Sequence, residues 1–398
     1  MRIGVLLPHG FFPWDVRVFK EVPLLVAGGH EVSVLCWSEP GEAAVEELLG
    51  ARVERMRHGK RADRFTNLIL KMTGYRWHPF WTRRIKRFIQ ENRIEALYTH
   101  DLRPALIGCR IAKKQGLPVV VDLHDDYPTM NTSAVRNLSA RLFNSIKKID
   151  RVQGKVVRMS DRVIVPCLGF MDLFPERYGI PPDKMVLVPN YQDLATLVEP
   201  DKMEPIGADP GFFNVTFVGS VGTPGRGVQV AVEAMPHVLE RMPDARLVIV
   251  GDGSYLPELK KLAERLGVQD SVQFTGWVDF SEVPGYIAGS DVCIITFLKE
   301  VSQYNYGNPH KLFQYMAAKK PVLVSDCYEI GRHVRESGSG LVFASGDAVD
   351  FAEKLSEMRP EELRRSMGEN GFRAVMERYN FESLSDRILE MCSELEKV

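Results

Sequence analysis

Two segments in the second half of this 398-residue chain have the residue types that bind phosphate groups. The first is Gly219–Gly227, which contains four glycines and Arg226 and follows the apolar run Val215–Val218. Glycines let backbone N–H groups approach a phosphate closely, and the arginine adds a fixed positive charge. Glycine-rich turns between a strand and a helix also occur without any ligand, so this loop alone does not decide between the two interpretations.

The second segment is a helix start. Asn308 followed by Pro309 predicts the N-cap and first residue of a helix that runs to Ala318. His310 and Lys311 then lie in the first turn, where a cation opposes the helix macrodipole. A bound diphosphate would remove this conflict, so we predict that Lys311 binds one. The alternative is a solvated lysine on a surface helix.

Polar residues also follow predicted strands in the first half. Gly10 closes the Pro-His-Gly segment between the first strand and the first helix, and we predict a second phosphate-facing turn there. His124 and His100 each come just past the carboxyl end of a strand, where α/β sheets bind ligands. A histidine beside an aspartate at a strand end is also often a hydrogen-bonded structural pair, and this alternative stays open.

The aspartates do not form a convincing metal site. Asp122, Asp125 and Asp126 cluster, and Asp252 lies between two glycines. No Asp-x-Asp follows a strand in the second half, so we expect no catalytic metal. The Gly-x-Ser-x-Gly, His-Glu-x-x-His and Gly-x4-Gly-Lys-Ser/Thr patterns are absent as well.

The stretch 52–87 is basic and aromatic, and its last part carries Arg83, Arg84, Lys86 and Arg87. Arg and Lys beside Trp and Phe suit a membrane interface or an anionic, lipid-linked acceptor. The alternative is a solvated, charged helical face that covers the domain.

The elements that position these residues alternate between strand and helix. Near-continuous apolar runs are typical of buried parallel strands. The predicted strands are Ile3–Leu7, Val32–Cys36, Ala96–Thr99, Val119–Leu123, Arg162–Pro166, Met185–Val188, Val215–Val218, Leu247–Val250, Val272–Phe274, Val292–Thr296 and Val322–Ser325. This alternation predicts an α/β protein with two doubly wound, Rossmann-like domains that face each other across a cleft.

The domain boundaries follow from a break in this rhythm. Residues 1–190 form the predicted N-terminal domain, and the Pro- and Gly-rich residues 191–212 form a linker. Residues 213–378 form the predicted C-terminal domain, and residues 379–398 form a last helical segment. The family resemblance described below implies that the first domain binds the acceptor, that the second binds the nucleotide sugar, and that the last segment crosses back to the first domain.

Composition narrows the function classes. Residues 1–190 carry 30 Lys and Arg against 20 Asp and Glu, and the remainder carries 21 against 32, for a net charge of −1. This balance disfavours a nucleic-acid partner. The sequence contains no run of about 18 apolar residues, so it predicts no membrane-spanning helix. The first residues do not resemble a signal peptide, and the six scattered cysteines predict buried thiols, so we expect a cytoplasmic protein.

Taken together, these motifs resemble glycosyltransferase family 4, a large family of retaining enzymes with the GT-B fold. The resemblance covers nearly the whole chain. The segments that carry it are Asp15–Glu21, Gly28–Val32, Tyr98–Asp101, Asp122–Asp125, Val218–Ser220, Arg226–Gly227, Val250–Gly253, Phe274–Val278 and Lys311–Ala318.

The resemblance implies a donor held between the two domains and metal-independent transfer that retains the anomeric configuration. Two family positions that hold the donor diphosphate, an arginine and a lysine, are Ser220 and Arg226 here, and two family glutamates are replaced by Tyr306 and Gln314. Lys311 would replace the charge missing at Ser220.

Other positions are carried over from the same resemblance. His124 matches a histidine that contacts the donor sugar. Trp277 and Val278 match the segment whose backbone reads the base, and the helix Ser383–Leu395 matches the segment that crosses back.

We therefore predict a hexosyltransferase that uses a UDP- or GDP-linked sugar, needs no cofactor, and acts on a glycan or lipid-linked acceptor in cell-surface polysaccharide or glycolipid synthesis. The predicted catalytic residues are His124, Arg226 and Lys311. The predicted donor-binding residues are Gly10, Ser220, Gly225, Trp277, Val278, Asn308, Pro309, His310 and Gln314.

Because both family glutamates are missing, two alternatives stay open: a non-catalytic GT-B protein that binds a nucleotide sugar or assists assembly, and a sugar-nucleotide epimerase. A nicotinamide dehydrogenase is disfavoured, since no Gly-x-Gly-x-x-Gly follows either first strand. Peripheral contact with the inner membrane face would go through the basic N-terminal domain.

Overall fold

The apolar runs of both halves form parallel sheets in the computed structural model, which describes residues 1–13, 15–39, 41–56, 78–102, 105–130, 146–207, 209 and 211–396. The chain divides into two units. The first contains Met1–Pro189 and Leu384–Val398, and the second contains Asn190–Ser383. Each unit is a sheet with helices packed against it, so the predicted pair of Rossmann-like α/β domains is confirmed.

The first unit contains an eight-stranded sheet in the described residues, in the order β3-β4-β2-β1-β5-β6-β7-β8. All neighbours are parallel except β3, which pairs antiparallel with β4 at the edge. The strands are β1 Arg2–Phe11, β2 Glu31–Trp37, β3 Val45–Leu48, β4 Ala51–Met56, β5 Ala96–His100, β6 Val119–Asp122, β7 Arg162–Val165 and β8 Met185–Leu187.

The helices of this unit follow the strands in chain order. They are α1 Val16–Ala27, α2 Pro79–Glu91, α3 Ala105–Lys114, α4 Tyr127–Met130, α5 Ile146–Met159 and α6 Leu168–Tyr178, with the C-terminal helix, here α15, at Ser385–Leu395. Asp15 caps α1, because its carboxylate accepts hydrogen bonds from the Arg17 and Val18 N–H groups. The helix therefore starts directly after β1, which fixes Arg17 near the carboxyl ends of the strands.

The second unit contains a six-stranded parallel sheet in the described residues, in the order β11-β10-β9-β12-β13-β14. The strands are β9 Phe213–Val218, β10 Ala245–Val250, β11 Val272–Gly276, β12 Val292–Ile295, β13 Val322–Ser325 and β14 Gly340–Phe343. The helices are α7 Val228–Arg241, α8 Leu256–Leu266, α9 Val283–Ala288, α10 Ser302–Asn305, α11 His310–Ala317, α12 Tyr328–Ser337, α13 Ala348–Glu357 and α14 Glu361–Glu377.

Both faces of the second sheet are covered. Val215 and Phe217 point to one face and pack with side chains of α7, α8 and α13. Val248 and Val250 point to the other face and pack with side chains of α11, α12 and α14. Burial on both faces explains why these strands are apolar runs rather than alternating patterns.

The structure differs from the sequence-based expectation in the position of residues 191–212 and in three strands. Residues 191–212, expected as a linker, belong to the second unit: Gln192 pairs with Asn380, and the Ile206 N–H donates to the Gly285 carbonyl. The edge strand β3, its neighbour β4 and the short strand β14 were not predicted. The C-terminal residues 384–396 pack with the first unit, where Arg387 donates to the Leu187 carbonyl.

All six cysteines are free and buried, as the sequence predicts. Among the parts of the chain that the structure describes, no helix combines the length and apolarity that a bilayer crossing requires.

Candidate active site

The glycine-rich loop of the second unit connects β9 to α7 and ends in a 3-10 turn over Pro224–Arg226. Gly227 follows with φ 68°, and a Cβ atom there would lie 1.6 Å from the Thr296 carbonyl oxygen. The Thr296 hydroxyl donates to the Arg226 carbonyl at 3.0 Å. The loop is thus fixed against the chain that follows β12, and only glycine fits at the contact.

The predicted helix start is present, one residue later than expected. Pro309 is the N-cap residue, with φ −76° and ψ 136°, and α11 runs from His310 to Ala317. Lys311 is therefore in the first turn of α11, where its charge opposes the macrodipole.

The Lys311 ammonium points to the glycine-rich loop. Its Nζ lies 4.0 Å from the Phe217 ring centroid, and a Cβ atom on Gly219 would come within 2.7 Å of it. Solvent does not reach Nζ, and Nζ has no hydrogen-bond partner among the described residues. Burial, and then the nearby charge of Arg226, lower the pKa of Lys311 well below its usual value.

Arg226 lies on the same loop and is half-buried. Its guanidinium carbon is 5.7 Å from the Tyr304 ring centroid, and the Tyr304 hydroxyl is 3.0 Å from the Thr223 hydroxyl. Arg226 and Thr223 belong to the loop, and Tyr304 belongs to α10. The structure therefore places Arg226 and Lys311, both predicted as catalytic, beside one loop.

The other donor-binding candidates of this unit differ in position. Ser220 is exposed, and its hydroxyl accepts from the Gly222 N–H at 3.3 Å. Asn308 is buried, and its carbonyl accepts from Asn190. Gln314 is half-buried on α11, one turn after His310, which is half-buried as well.

Gly225 and the segment after β11 complete the set. A Cβ atom on Gly225 would lie 2.6 Å from the Tyr304 ring, so this glycine allows the loop to pack on α10. Trp277 is 75% exposed, while Val278 packs against the core beneath it. Tyr306, at a family glutamate position, lies near Tyr328, with ring centroids 5.7 Å apart.

In the first unit, His124 belongs to a cluster at the carboxyl ends of β5 and β6. Asp122 Oδ2 is its centre: Arg17 Nε lies 2.5 Å away, His100 Nδ1 3.3 Å away, and His124 Nε2 3.6 Å away. The His124 Nδ1 atom is 3.4 Å from Asp101 Oδ1. About a fifth of the His124 side chain is exposed, whereas Arg17, His100 and Asp122 are buried.

The electrostatics of this cluster favour a charged His124. Burial opposes the charge, but the carboxylates of Asp101 and Asp122 outweigh burial and raise the pKa of His124 to about 9. Burial would raise the pKa of Asp122, but Arg17 and then His124 hold it well below its usual value. The two carboxylates therefore favour the imidazolium form of His124 at the carboxyl ends of β5 and β6.

Two tyrosines complete the network. The Tyr98 hydroxyl donates to Glu21 at 2.6 Å, and Glu21 lies 3.4 Å from Arg17 and 3.7 Å from His100. The Tyr127 hydroxyl donates to Asp101.

Most of this network was not predicted as part of a site. His124, His100 and the aspartates were named, whereas Arg17, Glu21 and Tyr98 appear only within segments that carry the family resemblance. One signal was available: Arg17 and Glu21 are four residues apart and so share one face of a mainly apolar helix. A charged pair on a buried face needs a partner, which here is Asp122.

Gly10 is a correction to the sequence analysis. The predicted phosphate-facing turn at residues 8–10 lies inside β1, which continues to Phe11, and the pairing of β1 with β2 becomes irregular between Leu6 and Phe11. The side chains of residues 8–11 lie outside the described part. The apolar run that suggested a strand end at Leu7 was shorter than the strand itself.

The four basic residues predicted as an acceptor or membrane face lie on α2. Arg84 pairs with Glu54 at 2.9 Å and Arg87 pairs with Glu91 at 2.7 Å. Arg83 and Lys86 are exposed, and Lys86 lines a groove between α2 and α3 with Arg110 and Lys114. Of the wider basic stretch, residues 57–77 lie outside the described part.

A metal is the remaining question for the histidine cluster. His100, Asp122 and His124 place ligand-type atoms within 4.8 Å of one another. Arg17, however, contacts the same Asp122 oxygen that the two histidines approach, so a cation bound there would face a guanidinium. The donor set therefore suits a hydrogen-bonded charge network better than a metal centre.

Comparisons with known proteins bear on the family and the fold of the chain. Residues 213–359 match the family of Glycosyl transferases group 1, and residues 16–191 match the Glycosyl transferase 4-like domain. The chain is 25% identical to a phosphatidyl-myo-inositol mannosyltransferase of Mycolicibacterium smegmatis over 98% of this chain and 93% of that protein. It is 26% identical to a D-inositol 3-phosphate glycosyltransferase of Segniliparus rotundus over 74% of this chain and 64% of that protein.

Solved structures share the fold. A sucrose-phosphate synthase from Thermosynechococcus elongatus has a TM-score of 0.76 at 17% identity, over 100% of this chain and 99% of that one. The HepE protein of Anabaena, in complex with UDP and glucose, has a TM-score of 0.68 at 15% identity, over 99% of both chains. These likenesses show that the two parallel-sheet units form the GT-B fold.

The two matched domains follow each other in the order of the chain and together span most of it. The chain belongs to glycosyltransferase family 4.

Proposed function

We propose that this glycosyltransferase moves a hexose-type sugar from a UDP- or GDP-linked donor to a lipid-linked or glycan acceptor, with retention of the anomeric configuration and without a metal. The observation that carries this proposal is the side-chain amine of Lys311, which is buried beside the glycine-rich loop and has no hydrogen-bond partner among the described residues. A diphosphate is the ligand whose charge would complete this arrangement.

The relatives support the choice of acceptor. The mannosyltransferase relative acts on phosphatidyl-myo-inositol by its name, and the second relative acts on D-inositol 3-phosphate. Both acceptors are anionic. The first unit is the basic half of this chain, and Arg83 and Lys86 are exposed on α2. An anionic glycolipid is therefore the acceptor class that we propose.

The proposed chemistry depends on fixed charges. In a transfer that retains configuration, the acceptor hydroxyl attacks on the face that the nucleotide leaves, and negative charge develops on the departing β-phosphate. Arg226, Lys311 and the N-terminus of α11 would stabilise that charge. Positioned donors of this type are commonly the largest catalytic contribution in such sites.

The donor is tested first by binding. A thermal-shift screen against UDP, GDP, ADP and their sugars should show one base that stabilises the protein. A ligand at 100 times its dissociation constant adds about 2.7 kcal/mol, which is easily detected. If none of these nucleotides shifts the melting temperature, the proposed donor class is wrong.

The residues are tested by turnover. Lys311→Ala and Arg226→Ala should each lower kcat by roughly 10²–10³-fold, as expected for loss of one transition-state donor. Lys319→Ala is the matched control. Lys319 follows the C-terminal end of α11 and pairs with Glu369. Full turnover in both site variants would refute the assignment.

Metal independence and the acceptor have separate tests. Transfer should be unchanged after dialysis against a chelator, and loss of activity that Mg²⁺ or Mn²⁺ restores would contradict the metal-free proposal. Radiolabelled donor sugar should appear in the organic phase when anionic inositol lipids are supplied, and not with a neutral lipid of the same chain length.

A further inference from the structure

The surroundings of Lys311 raise a question that nucleotide binding alone does not answer. The residue is only half-buried as a whole, yet its Nζ atom is out of reach of solvent. The atom lies against the rings of Phe217 and Phe297, with centroids 4.0 and 5.8 Å away. None of the described groups accepts a hydrogen bond from it.

A protonated amine is costly in this position. Removing an ammonium from water without a counter-ion carries a large desolvation penalty, even after the protein relaxes. The cation–π contact with the ring of Phe217 offsets only part of this penalty. The uncompensated part of the penalty favours loss of the proton, because a neutral amine loses less hydration free energy on burial than an ammonium does.

The charged and titratable neighbours do not reverse this balance. Arg226, on the loop, adds repulsion, and no described carboxylate contributes to the pKa of Lys311. Tyr315 on the same helix binds the Val218 N–H, and burial raises its pKa well above the usual value, so it stays neutral. Tyr304 from α10 lies against Phe297 and brings no carboxylate to the amine.

A bound diphosphate would change the charge that Lys311 faces. The loop at Gly219 approaches Nζ more closely than any side chain at that position would allow, so a phosphate on the loop would lie next to the amine. The anion then stabilises the protonated form, as an opposite charge within about 4–6 Å does for any titratable group.

We propose that Lys311 is neutral in the nucleotide-free protein and takes up one proton from solvent when the diphosphate binds, so that nucleotide and proton bind as a coupled pair. The reaction is a simple protonation: the amine lone pair binds a proton released by the buffer, and no bond to the nucleotide forms. The inference rests on the proposed function, because it assumes that Lys311 contacts the nucleotide diphosphate.

The test is isothermal titration calorimetry with UDP and with GDP at about pH 8, above the second phosphate pKa of about 6. Each titration is run in two buffers that differ in ionisation enthalpy, so that the difference in heat counts the protons exchanged. The wild-type protein should take up about one proton per nucleotide. Lys311→Arg keeps a permanent charge and should bind with no uptake. Lys319→Arg, the matched control, should behave as wild type.

A second measurement does not depend on any variant. Between about pH 7.5 and 9, the wild-type dissociation constant should rise about tenfold per pH unit, because binding requires a proton that becomes scarcer. Binding with equal proton exchange in wild type and Lys311→Arg, or a dissociation constant that is constant over this range, would overturn the inference while leaving the proposed function intact. Absence of binding to either nucleotide would overturn both.

Discussion

Arg17 Nε lies 2.5 Å from Asp122 Oδ2, and both side chains are buried although they are 105 residues apart in the chain. The contact joins the start of α1 to the end of β6. It also fixes the carboxylate that His100 and His124 approach. Arg17 thus connects α1 and the sheet to His124, the partly exposed histidine of the first unit.

Replacing this arginine should therefore be costly. Arg17→Met leaves Asp122 and Glu21 buried without their cation, and loss of one partner of a buried pair typically costs about 3–5 kcal/mol. The loss can be measured by urea unfolding of the first unit. Arg2→Met is the control, since the Arg2–Glu95 pair is exposed and should cost at most about 1 kcal/mol. Equal losses would show that burial of the Arg17 pair is unimportant.

Two histidines should titrate far apart. The pKa of His124 is raised to about 9, with carboxylates outweighing burial, whereas burial and then Arg332 lower the pKa of His333 to about 3. At neutral pH, NMR should therefore find His124 charged and His333 neutral. Because the His124 pKa is raised, its contribution to stability is present in full below about pH 6.5 and is lost as the pH rises through about 9.

The variant His124→Asn should show that sign directly. The difference in unfolding free energy between wild type and variant should be larger at about pH 6 than at about pH 10. A difference that grows with pH would mean that Asp101 and Asp122 do not stabilise the imidazolium.

Much of the fold could be predicted because its strands are buried on both faces. Runs such as Leu247–Val250 and Val292–Ile295 are apolar throughout and stand out from their surroundings. The edge strand β3 has the sequence Val-Glu-Glu-Leu, and β4 has the sequence Ala-Arg-Val-Glu-Arg-Met. Both strands mix charged with apolar residues and therefore resemble exposed segments. Their side chains form ion pairs across strands, such as Arg55 with Glu46, which no local pattern reveals.

The site was predictable where its chemistry is local in the chain. The glycine-rich loop and the start of α11 each show their character within about ten residues, so Arg226 and Lys311 could be named. The network around Asp122 depends on contacts between α1, β5 and β6, and the burial that gives these contacts their energy is not visible in any single segment. The Gly10 prediction was wrong because Pro-His-Gly has the composition of a turn, whereas β1 continues through these residues and pairs again with β2 at Phe11.

The close approach of Gly227 to Thr296 can be separated from backbone strain. Gly227 and Gly267 have nearly the same φ, 68° and 69°, but a Cβ atom at Gly267 would meet nothing within 4 Å. Gly267→Ala should therefore cost only the left-handed backbone penalty of about 1–2 kcal/mol. Gly227→Ala should cost more and should also weaken nucleotide binding, because the loop must move off Thr296. Thermal unfolding and nucleotide titration of both variants check this. Similar losses of stability with unchanged nucleotide affinity would show that the contact does not hold the loop.

Replacing Lys311 should make the nucleotide-free protein more stable and the enzyme less active. Lys311→Met removes a buried amine that has no partner and puts a thioether against the ring of Phe217. The nucleotide-free protein should gain about 1–2 kcal/mol, since an unsatisfied buried polar group typically costs that much, and its melting temperature should rise by about 2–4 °C for each kcal/mol.

The same variant should bind nucleotide more weakly and turn over more slowly, because the diphosphate loses the charge that its binding would create on the amine. Differential scanning calorimetry with and without UDP or GDP measures both effects in one series. In wild type the nucleotide should raise the melting temperature strongly, and in Lys311→Met the starting value should be higher but the rise smaller. A variant that is less stable than wild type without nucleotide would mean that the amine has a stabilising partner in the folded protein, and the argument from its unpaired burial would then fail.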